Sequence, residues 1–514
     1  MKNLDSLTIK FFYEENKDFL TGGVIQKIQM PSRKEIIFYI RNSGENKKLY
    51  ININPKFPHI CFIKNKDDFS LNIPKTPPMF CMQLRKYLEG AKIINAVLIE
   101  YERILEFHFS VSDEFGILNN HVLSIELMGK YSNVILYNKK TNIITGSAHN
   151  VSSDKSSIRE VYGGIKYIYP PKQNKKDILK TPYNVFLNLK ENISDEFYYF
   201  SKPFEQFIKD KSNNDDELFY NLQNAVNKKD LLKEFWNNEG DFNSIIENYY
   251  SKIVNADAIL NKQNKLLKII NTKLKKINLT LKESFDNEKF EKYKKAGDLI
   301  FQYIYLIDNS EDEITLEGIK ISLDKTKTPA QNAQKYYKLY SKAKSAKLIK
   351  EQRIIKAKEE KKYLEDILFS IHNASNLGEL DEIEEEIDEY ILLNKKEKTN
   401  KPKIETINYK DFEILIGKNN KQNDFIIKKL SSPEDIWFHA QNSPSSHILV
   451  KTQNGRLKIT DDVILFAANL TKENSPLKNS KKAGIIYTKR KYLKRPPDTP
   501  LGYVTYREEK EVIV

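Results

Sequence analysis

The sequence predicts a multidomain α+β protein in which two mixed modules flank a long antiparallel helical hairpin. Three observations predict it. The 514 residues exceed one domain, since domains run about 100–200 residues. Ile246, Ile253, Leu260, Leu267, Leu274 and Leu281 recur every seven residues, with Tyr249, Ala256, Gln263, Ile270 and Ile277 three positions later, the a/d seam of a coiled coil. Short runs of β-formers separated by turn residues crowd both ends of the chain.

Residues 1–172 read as an α/β or β-rich domain. A helix from about Leu4 to Leu20 stops at Gly22-Gly23, a C-cap signal. Strand patterns follow at Val24–Gln29, Glu35–Ile40 and Lys48–Ile53, then a helix opened by Pro77-Pro78 and closed by Gly90. Further strands are expected at Lys92–Glu100, Ile104–Val111, Val122–Leu127 and Asn133–Tyr137. No phosphate-binding glycine loop occurs. Residues 173–241 read as a helical unit rich in Phe and Tyr, without a glycine before Gly240.

The first arm of the hairpin is expected at 242–284, about 60 Å long at 1.5 Å per residue. A lone seam must be buried, so a return helix is required. Residues 329–393 supply it, with Tyr336, Ala343, Ala357, Leu364 and Ile371 at sevenfold spacing and Lys350 interrupting. Residues 285–328 between them read as a small α+β cap, with strands Glu313–Leu316 and Lys320–Leu323. An acidic helix follows, with eight acids and no base from Glu379 to Glu389, then a charged linker from Lys395 to Lys403.

Charge points to a polyanionic partner. Lys and Arg number 84 against 70 acids, a net charge of +14. Residues 258–282 hold seven lysines and no acid, and residues 335–362 hold eleven basic groups and three acids. Most charge runs are solvated helix faces. One sign on both arms costs helix stability at i,i+4, a cost that bound phosphates would offset. On this reading the phosphate-facing cations are Lys262, Lys265, Lys268, Lys273, Lys275, Lys276, Lys342, Lys344, Lys347, Lys350 and Arg353. Cys61 and Cys81, the two cysteines, suggest a reducing compartment. With no secretory signal visible and no apolar window long enough to span a bilayer, a cytoplasmic protein is expected.

Residues 404–514 read as an α+β module organised on 413–447. Glu413–Ile416 is expected as a strand, Gly417–Asp424 as an exposed ligand-facing loop, Phe425–Leu430 as the return strand and Ile448–Val450 as a third. Asp435, His439 and His447 could bind a metal or run acid–base chemistry. Structural histidines beside a core Trp437 are the plainer reading, since ligand spacing for a metal is absent. A polar surface gripping phosphate and sugar is a third. Lys478 to Arg495 adds eight basic residues interleaved with Tyr487 and Tyr492, a pattern suited to phosphate contact and base stacking.

Specific strings then identify a resemblance. Gly417-Lys418-Asn419-Asn420-Lys421-Gln422-Asn423-Asp424, Asp435-Ile436-Trp437-Phe438-His439-Ala440 and Pro444-Ser445-Ser446-His447 resemble the marks of the C-terminal NFACT-R module. Lys418 stands where that pattern has Arg, and Ser445 where it has Gly. Gly23 to Ile28, Asn54 to Ile60, Pro77 to Gly90, Ile125 to Asn133 and Ser157 to Val161 resemble the NFACT-N domain. Pro329 to Tyr337 matches the family's second coiled-coil arm.

The order of modules covers essentially the whole chain and is similar to NFACT proteins of the ribosome quality-control (RqcH) type. The resemblance implies a helix-hairpin-helix-like unit at 173–241. It implies a cytoplasmic, RNA-binding factor, with no cofactor and no active site of its own. Such a factor binds the large ribosomal subunit carrying a stalled peptidyl-tRNA and recruits alanyl-tRNA for template-free alanine tailing, with ribosomal RNA forming the bond.

The resemblance also implies the tRNA-contacting residues. These are Asp5, Glu102 and Arg103 in the N-terminal module, and Lys418, Asn419, Asn420, Lys421, Gln422, Asp435, Trp437, His439 and His447 in the C-terminal one. Glu102 stands where the tailing members carry Asp. The N-terminal domain further resembles formamidopyrimidine-type DNA glycosylases, whose nucleophile is an N-terminal Pro. This chain opens Met1-Lys2-Asn3 and is not expected to share that chemistry. The alternative reading is a fibronectin-binding surface adhesin.

Overall fold

The computed structural model describes residues 2, 4–64, 69, 71, 73–112, 118–282, 287–308, 311–391, 402–496, 499 and 501–514. It divides into two compact units, residues 1–258 and 259–514. Most of the linker expected at Lys395–Lys403, and the first arm beyond Lys282, lie outside the described residues.

In the first unit, Asp5 caps α1 (Ser6–Leu20), accepting from the Thr8 N–H. A nine-stranded sheet follows. Its strands are β1 (Val24–Ser32), β2 (Glu35–Asn42), β3 (Glu45–Asn52) and β4 (His59–Ile63), then, after α2 (Met79–Leu88), β5 (Lys92–Leu98), β6 (Ile104–Ser112), β7 (Leu118–Glu126), β8 (Asn133–Asn138) and β9 (Ile144–Ser147). The order is β4-β3-β2-β1-β5-β6-β7-β8-β9, and every pair is antiparallel. The α/β expectation is therefore corrected to an antiparallel sheet domain. Most neighbouring strands are joined by turns too short for the crossover that parallel pairing needs; Ser43 and Gly44, both at positive φ, close β2 onto β3.

Five short helices follow, α3 (Tyr183–Leu189), α4 (Ile193–Glu196), α5 (Lys202–Lys211), α6 (Asp215–Asn227) and α7 (Asp230–Trp236). Their buried Phe186, Phe197, Phe204 and Trp236 share one continuous core with α1 and the sheet. The start of α8 (Phe242–Lys282) joins the same core through Phe242, Ile245, Ile246, Tyr250 and Val254. Phe242 stacks on Phe11 at 5.2 Å. The first heptads of the predicted seam thus pack on the N-terminal core and not on a return helix. Any large apolar stripe satisfies the period, whatever buries it.

In the second unit, α8 from residue 259 onward pairs with α10 (Pro329–Asn373). Leu266, Ile270 and Ile277 are buried with Ala357, Leu364, Ile367 and Ile371. Leu260, placed on the seam by its spacing, is 53% exposed, while Leu266 is buried in its stead. Thr328 and Gln331 close a capping box at the start of α10, with Pro329 at its first turn. The cap contains α9 (Asn287–Gln302) and the hairpin β10 (Glu313–Leu316) and β11 (Ile319–Ser322), around Leu299, Ile300, Ile321 and Ala333. The acidic segment forms α11 (Leu377–Glu386) and a π turn, Ile387–Ile391.

The C-terminal module carries β12 (Glu405–Tyr409), β13 (Phe412–Gly417), α12 (Asn420–Phe425), β14 (Ile436–Ala440), β15 (His447–Val450), α13 (Asp461–Glu473), β16 (Gly484–Lys489) and β17 (Lys510–Ile513). The sheet runs β12-β13-β15-β14-β16-β17, antiparallel throughout. The return strand expected at Phe425–Leu430 is instead the end of α12 and a π turn, Ile426–Leu430. Ile426 and Ile427 are both buried, whereas consecutive strand residues point to opposite faces.

Removing the stacked ring where α8 enters the N-terminal core tests this packing. Phe242→Ala is expected to cost about 3–5 kcal/mol. Denaturant unfolding followed by circular dichroism should show a lower midpoint for the transition of the first unit.

Candidate nucleic-acid interface

Three places gather the residues that the sequence singles out. The first lies in the N-terminal unit, where the turn between β5 and β6 meets α1 and the stretch before α5. Asp5, Tyr101, Arg103, Gln173, Lys175 and Tyr198 line a cleft of about 170 Å³. That is smaller than the roughly 300–1,000 Å³ of sites that enclose a drug-sized ligand. Arg103 donates from Nη1 to the Leu4 carbonyl at 3.3 Å. Glu102 accepts from the Gln173 amide at 3.2 Å. Asp5 is buried; it accepts from the Thr8 hydroxyl at 2.6 Å and from Ser201 at 3.1 Å. Burial raises its pKa, against the pull of Thr8, Ser201 and the Arg103 charge. Asp5 is therefore a buried cap that positions its neighbours.

Two tyrosines at this cleft have left-handed backbones, Tyr101 at φ 66° and Tyr199 at φ 79°. Bulky side chains rarely adopt this region, and such strain gathers at functional sites. Tyr101 stacks on Tyr198 at 4.3 Å and donates to Asp177 at 3.0 Å. Lys175 donates to the Ser194 carbonyl at 2.7 Å, and burial lowers its pKa. The cleft thus offers a guanidinium, an ammonium, an amide and stacked phenol rings. Sequence reasoning found Asp5, Glu102 and Arg103 but not Gln173, Lys175, Tyr198 or Tyr199, which lie about 70 to 100 residues downstream of the turn.

The second place is the loop of the C-terminal module, and here the structure corrects the expectation. Residues 417–424 are not an exposed loop: Asn419, Asn420, Gln422 and Asn423 are all buried. Asn419 caps α12 by accepting from the Gln422 N–H, and the Gln422 side chain accepts from the Lys418 N–H at 3.0 Å. A side-chain cap of this kind is the signature of a helix start, present in the sequence as Asn-x-x-Gln. At Gly417 an added Cβ would sit 2.1 Å from the Asn423 amide oxygen, so a side chain there would displace the group that accepts from the His447 N–H.

The outward polar atoms meet α11. Asn419 and Gln422 each donate to Glu382 at 2.8 Å, and Asn420 donates to Glu386 at 3.0 Å. Lys421 pairs with Glu385. Lys418 bridges Glu379 at 3.3 Å and Glu405 at 2.6 Å. Burial works against its charge, but Glu405 and Glu379 outweigh it and its pKa rises.

Asp435 is fully buried, accepting from the Ser432 N–H at 2.7 Å and the Thr452 N–H at 2.8 Å, with Lys451 at 3.2 Å. Trp437 and His447 are buried too, their rings edge to face at 5.2 Å, while His439 is half-buried and lies parallel to Trp437 at 5.5 Å. His439 Nδ1 pairs with the Ala440 carbonyl at 2.8 Å. Burial lowers both histidines, His439 to about 4 and His447 well below its ordinary value. Ser445 is not among the positive-φ residues, and its hydroxyl accepts from the Ala440 N–H at 3.0 Å, so this position does not demand glycine. Tyr487 stacks on Phe438 at 5.3 Å within the core and is not a base-stacking platform. Lys489 and Lys491 both pair with Glu434 at 2.7 Å, and Arg495 pairs with Asp424 at 2.8 Å.

The third place is the pair of arms. Lys262 pairs with Asp381 and with Glu384, and Lys265 with Glu384 at 2.7 Å. These two bind α11 to α8. Lys273 pairs with Glu360 at 3.3 Å. Lys347 and Lys350 are half-buried, whereas Lys268, Lys275, Lys276, Lys342, Lys344 and Arg353 are exposed.

Sequence comparison supplies the relationship. The family model of the NFACT N-terminal and middle domains matches residues 5–199 and 188–406, and that of the NFACT protein RNA-binding domain matches 404–507. The chain belongs to the NFACT family. It is 30% identical to the Rqc2 homolog RqcH of Streptococcus suis, across 100% of this chain and 98% of that one. It is 27% identical to the Rqc2 homolog RqcH of Bacillus subtilis, across 97% and 95%. A solved structure of the C-terminal part of the fibronectin/fibrinogen-binding protein from Streptococcus suis aligns with 50% of this chain and 94% of that one, at 28% identity and a TM-score of 0.38.

In this NFACT protein the most buried acid of the α11 contact is Glu386, which also accepts from the Tyr363 hydroxyl at 2.6 Å. Burial pushes it up to about 7, against Tyr363, Asn420 and Lys421 and with Asp366, itself raised to about 7. A folded-state pKa above the unfolded one stabilises the fold at low pH, and that stabilisation is lost as pH rises through about 7. His439 and His447 act oppositely, because a neutral buried histidine loses stability as pH falls below about 6.5. Glu386→Gln keeps the protonated shape. Its unfolding midpoint should exceed the parent's at pH 8 and match it at pH 5. Equal shifts at both pH values would assign the titration elsewhere.

Proposed function

We propose that this chain is a ribosome-associated quality-control factor that binds the large ribosomal subunit carrying a stalled peptidyl-tRNA. It recruits alanyl-tRNA for template-free alanine tailing, and ribosomal RNA forms the peptide bond. The observation that carries the tRNA part is the N-terminal cleft, which brings Arg103 and Lys175 together with stacked Tyr101 and Tyr198, beside Glu102 on the Gln173 amide. A guanidinium fork suits a phosphate or a base edge, and stacked phenols suit an unpaired base. Membership of the NFACT family and full-length similarity to RqcH proteins support the ribosomal part. Within this reading the exposed cations of the arms face ribosomal RNA, and Asp5 positions the cleft. The signature residues Lys418 to Gln422 join the C-terminal module to α11, so their effect on RNA is indirect.

The double variant Glu102→Ala with Arg103→Ala separates recruitment from docking. Large-subunit association, measured by co-sedimentation, should stay within twofold of the parent. Alanine tails on a stalled reporter, read by C-terminal mass spectrometry, should disappear, and Glu102→Asp should retain them. Normal tails in the double variant would refute the role of the cleft. Parallel loss of sedimentation would make the pair structural.

A further inference from the structure

The two arms do not pack tightly along their whole length. Between residues 273–280 of α8 and 349–360 of α10 they leave a groove of about 540 Å³. Its volume is in the range of ligand sites, roughly 300–1,000 Å³. Ile277 and Ala357, both buried, form the floor.

Lys276, Arg353 and Lys356 line the walls. Among the described residues none of these three has a carboxylate at ion-pair distance, although most lysines near α11 do. The acid lining the groove, Glu360, is held by Lys273. Among the described residues Arg353 reaches the Thr280 hydroxyl, at 3.5 Å. Three cations facing one another over an apolar floor repel, and the floor weakens screening by water. An anion between them removes that repulsion.

We propose that this groove is a discrete binding site for the sugar–phosphate backbone of RNA, with a phosphodiester held by Lys276, Arg353 and Lys356. The inference rests on the ribosome-associated reading above and narrows it, from cations spread along the arms to one built site. Arg353 supplies a planar fork for two phosphate oxygens, and the lysines supply point charges. Thr280 and Gln352 offer polar contacts for a ribose hydroxyl.

The test uses the full chain and purified large subunits. One variant carries Lys276→Ala, Arg353→Ala and Lys356→Ala. A matched control carries Lys268→Ala, Lys342→Ala and Lys344→Ala, exposed cations of the same arms outside the groove. The groove variant should bind at least tenfold more weakly, with a salt slope shallower by about 1, and the control only two- to threefold more weakly. Removing mutual repulsion should not lower the groove variant's thermal melt, and Lys276→Arg with Lys356→Arg should keep parent affinity. Equal losses in both triple variants would overturn the groove while leaving ribosome binding by the arms intact. No loss in either would overturn both. Free inorganic phosphate at millimolar concentration should not displace the subunit. Displacement at equal ionic strength would show a small-anion site instead and overturn the assignment to an RNA backbone.

Discussion

The second unit depends on how the carboxylates of α11 are compensated. Six acids between Glu379 and Glu386 cannot share one short helix unless cations and donors surround it, because like charges at i,i+3 and i,i+4 repel. The helix solves this by giving each face a different partner. Leu380, Ile383 and Ile387 enter the hairpin core. Asp381 and Glu384 meet Lys262 and Lys265 of α8. Glu379, Glu382, Glu385 and Glu386 meet Lys418 to Gln422 at the start of α12. The N-terminus of α12 favours nearby negative charge as well. One acidic helix thereby fixes the C-terminal module to the base of the hairpin. It also decides which lysines of α8 are structural.

The hairpin and the C-terminal module were legible in outline, and their interface was not. Heptad spacing located α8 and α10 because a buried stripe must recur at the helical period. It could not say what buries each stretch, so Ile246 and Ile253 were assigned to a coiled coil although they pack with Phe11 and the sheet. The polar string from Gly417 to Asp424 reads as a loop because amides and charges usually face water. Here they face carboxylates 30 to 40 positions earlier in the chain, a pairing that no local pattern announces. The Asn419–Gln422 cap was the available local clue.

The N-terminal cleft shows the same division. Glu102-Arg103 was visible only through family resemblance, since a charge pair at a strand start is ordinary. Its partners Gln173, Lys175 and Tyr198 come from the segment before α5, and only the fold brings them to the turn. The left-handed Tyr101 and Tyr199 were invisible for another reason. Positive φ is predicted from glycine or asparagine, and a tyrosine there is imposed by the surrounding packing.

Net charge is therefore a poor measure of binding surface in this protein. The surplus of +14 divides into cations that hold the structure and cations that do not. Lys262, Lys265, Lys418, Lys421 and Arg495 belong to the first group, each neutralised by a named carboxylate. Their removal would unfold or loosen an interface, so a loss of RNA binding in such variants says nothing about contact. Lys276, Arg353 and Lys356 belong to the second group, lining a groove between α8 and α10. Phosphate affinity is set by how many counterions the nucleic acid releases. Only cations without an internal partner contribute fully to that release. The physical content of the basic arms thus lies in the middle of the hairpin, away from the base where the lysines are already matched.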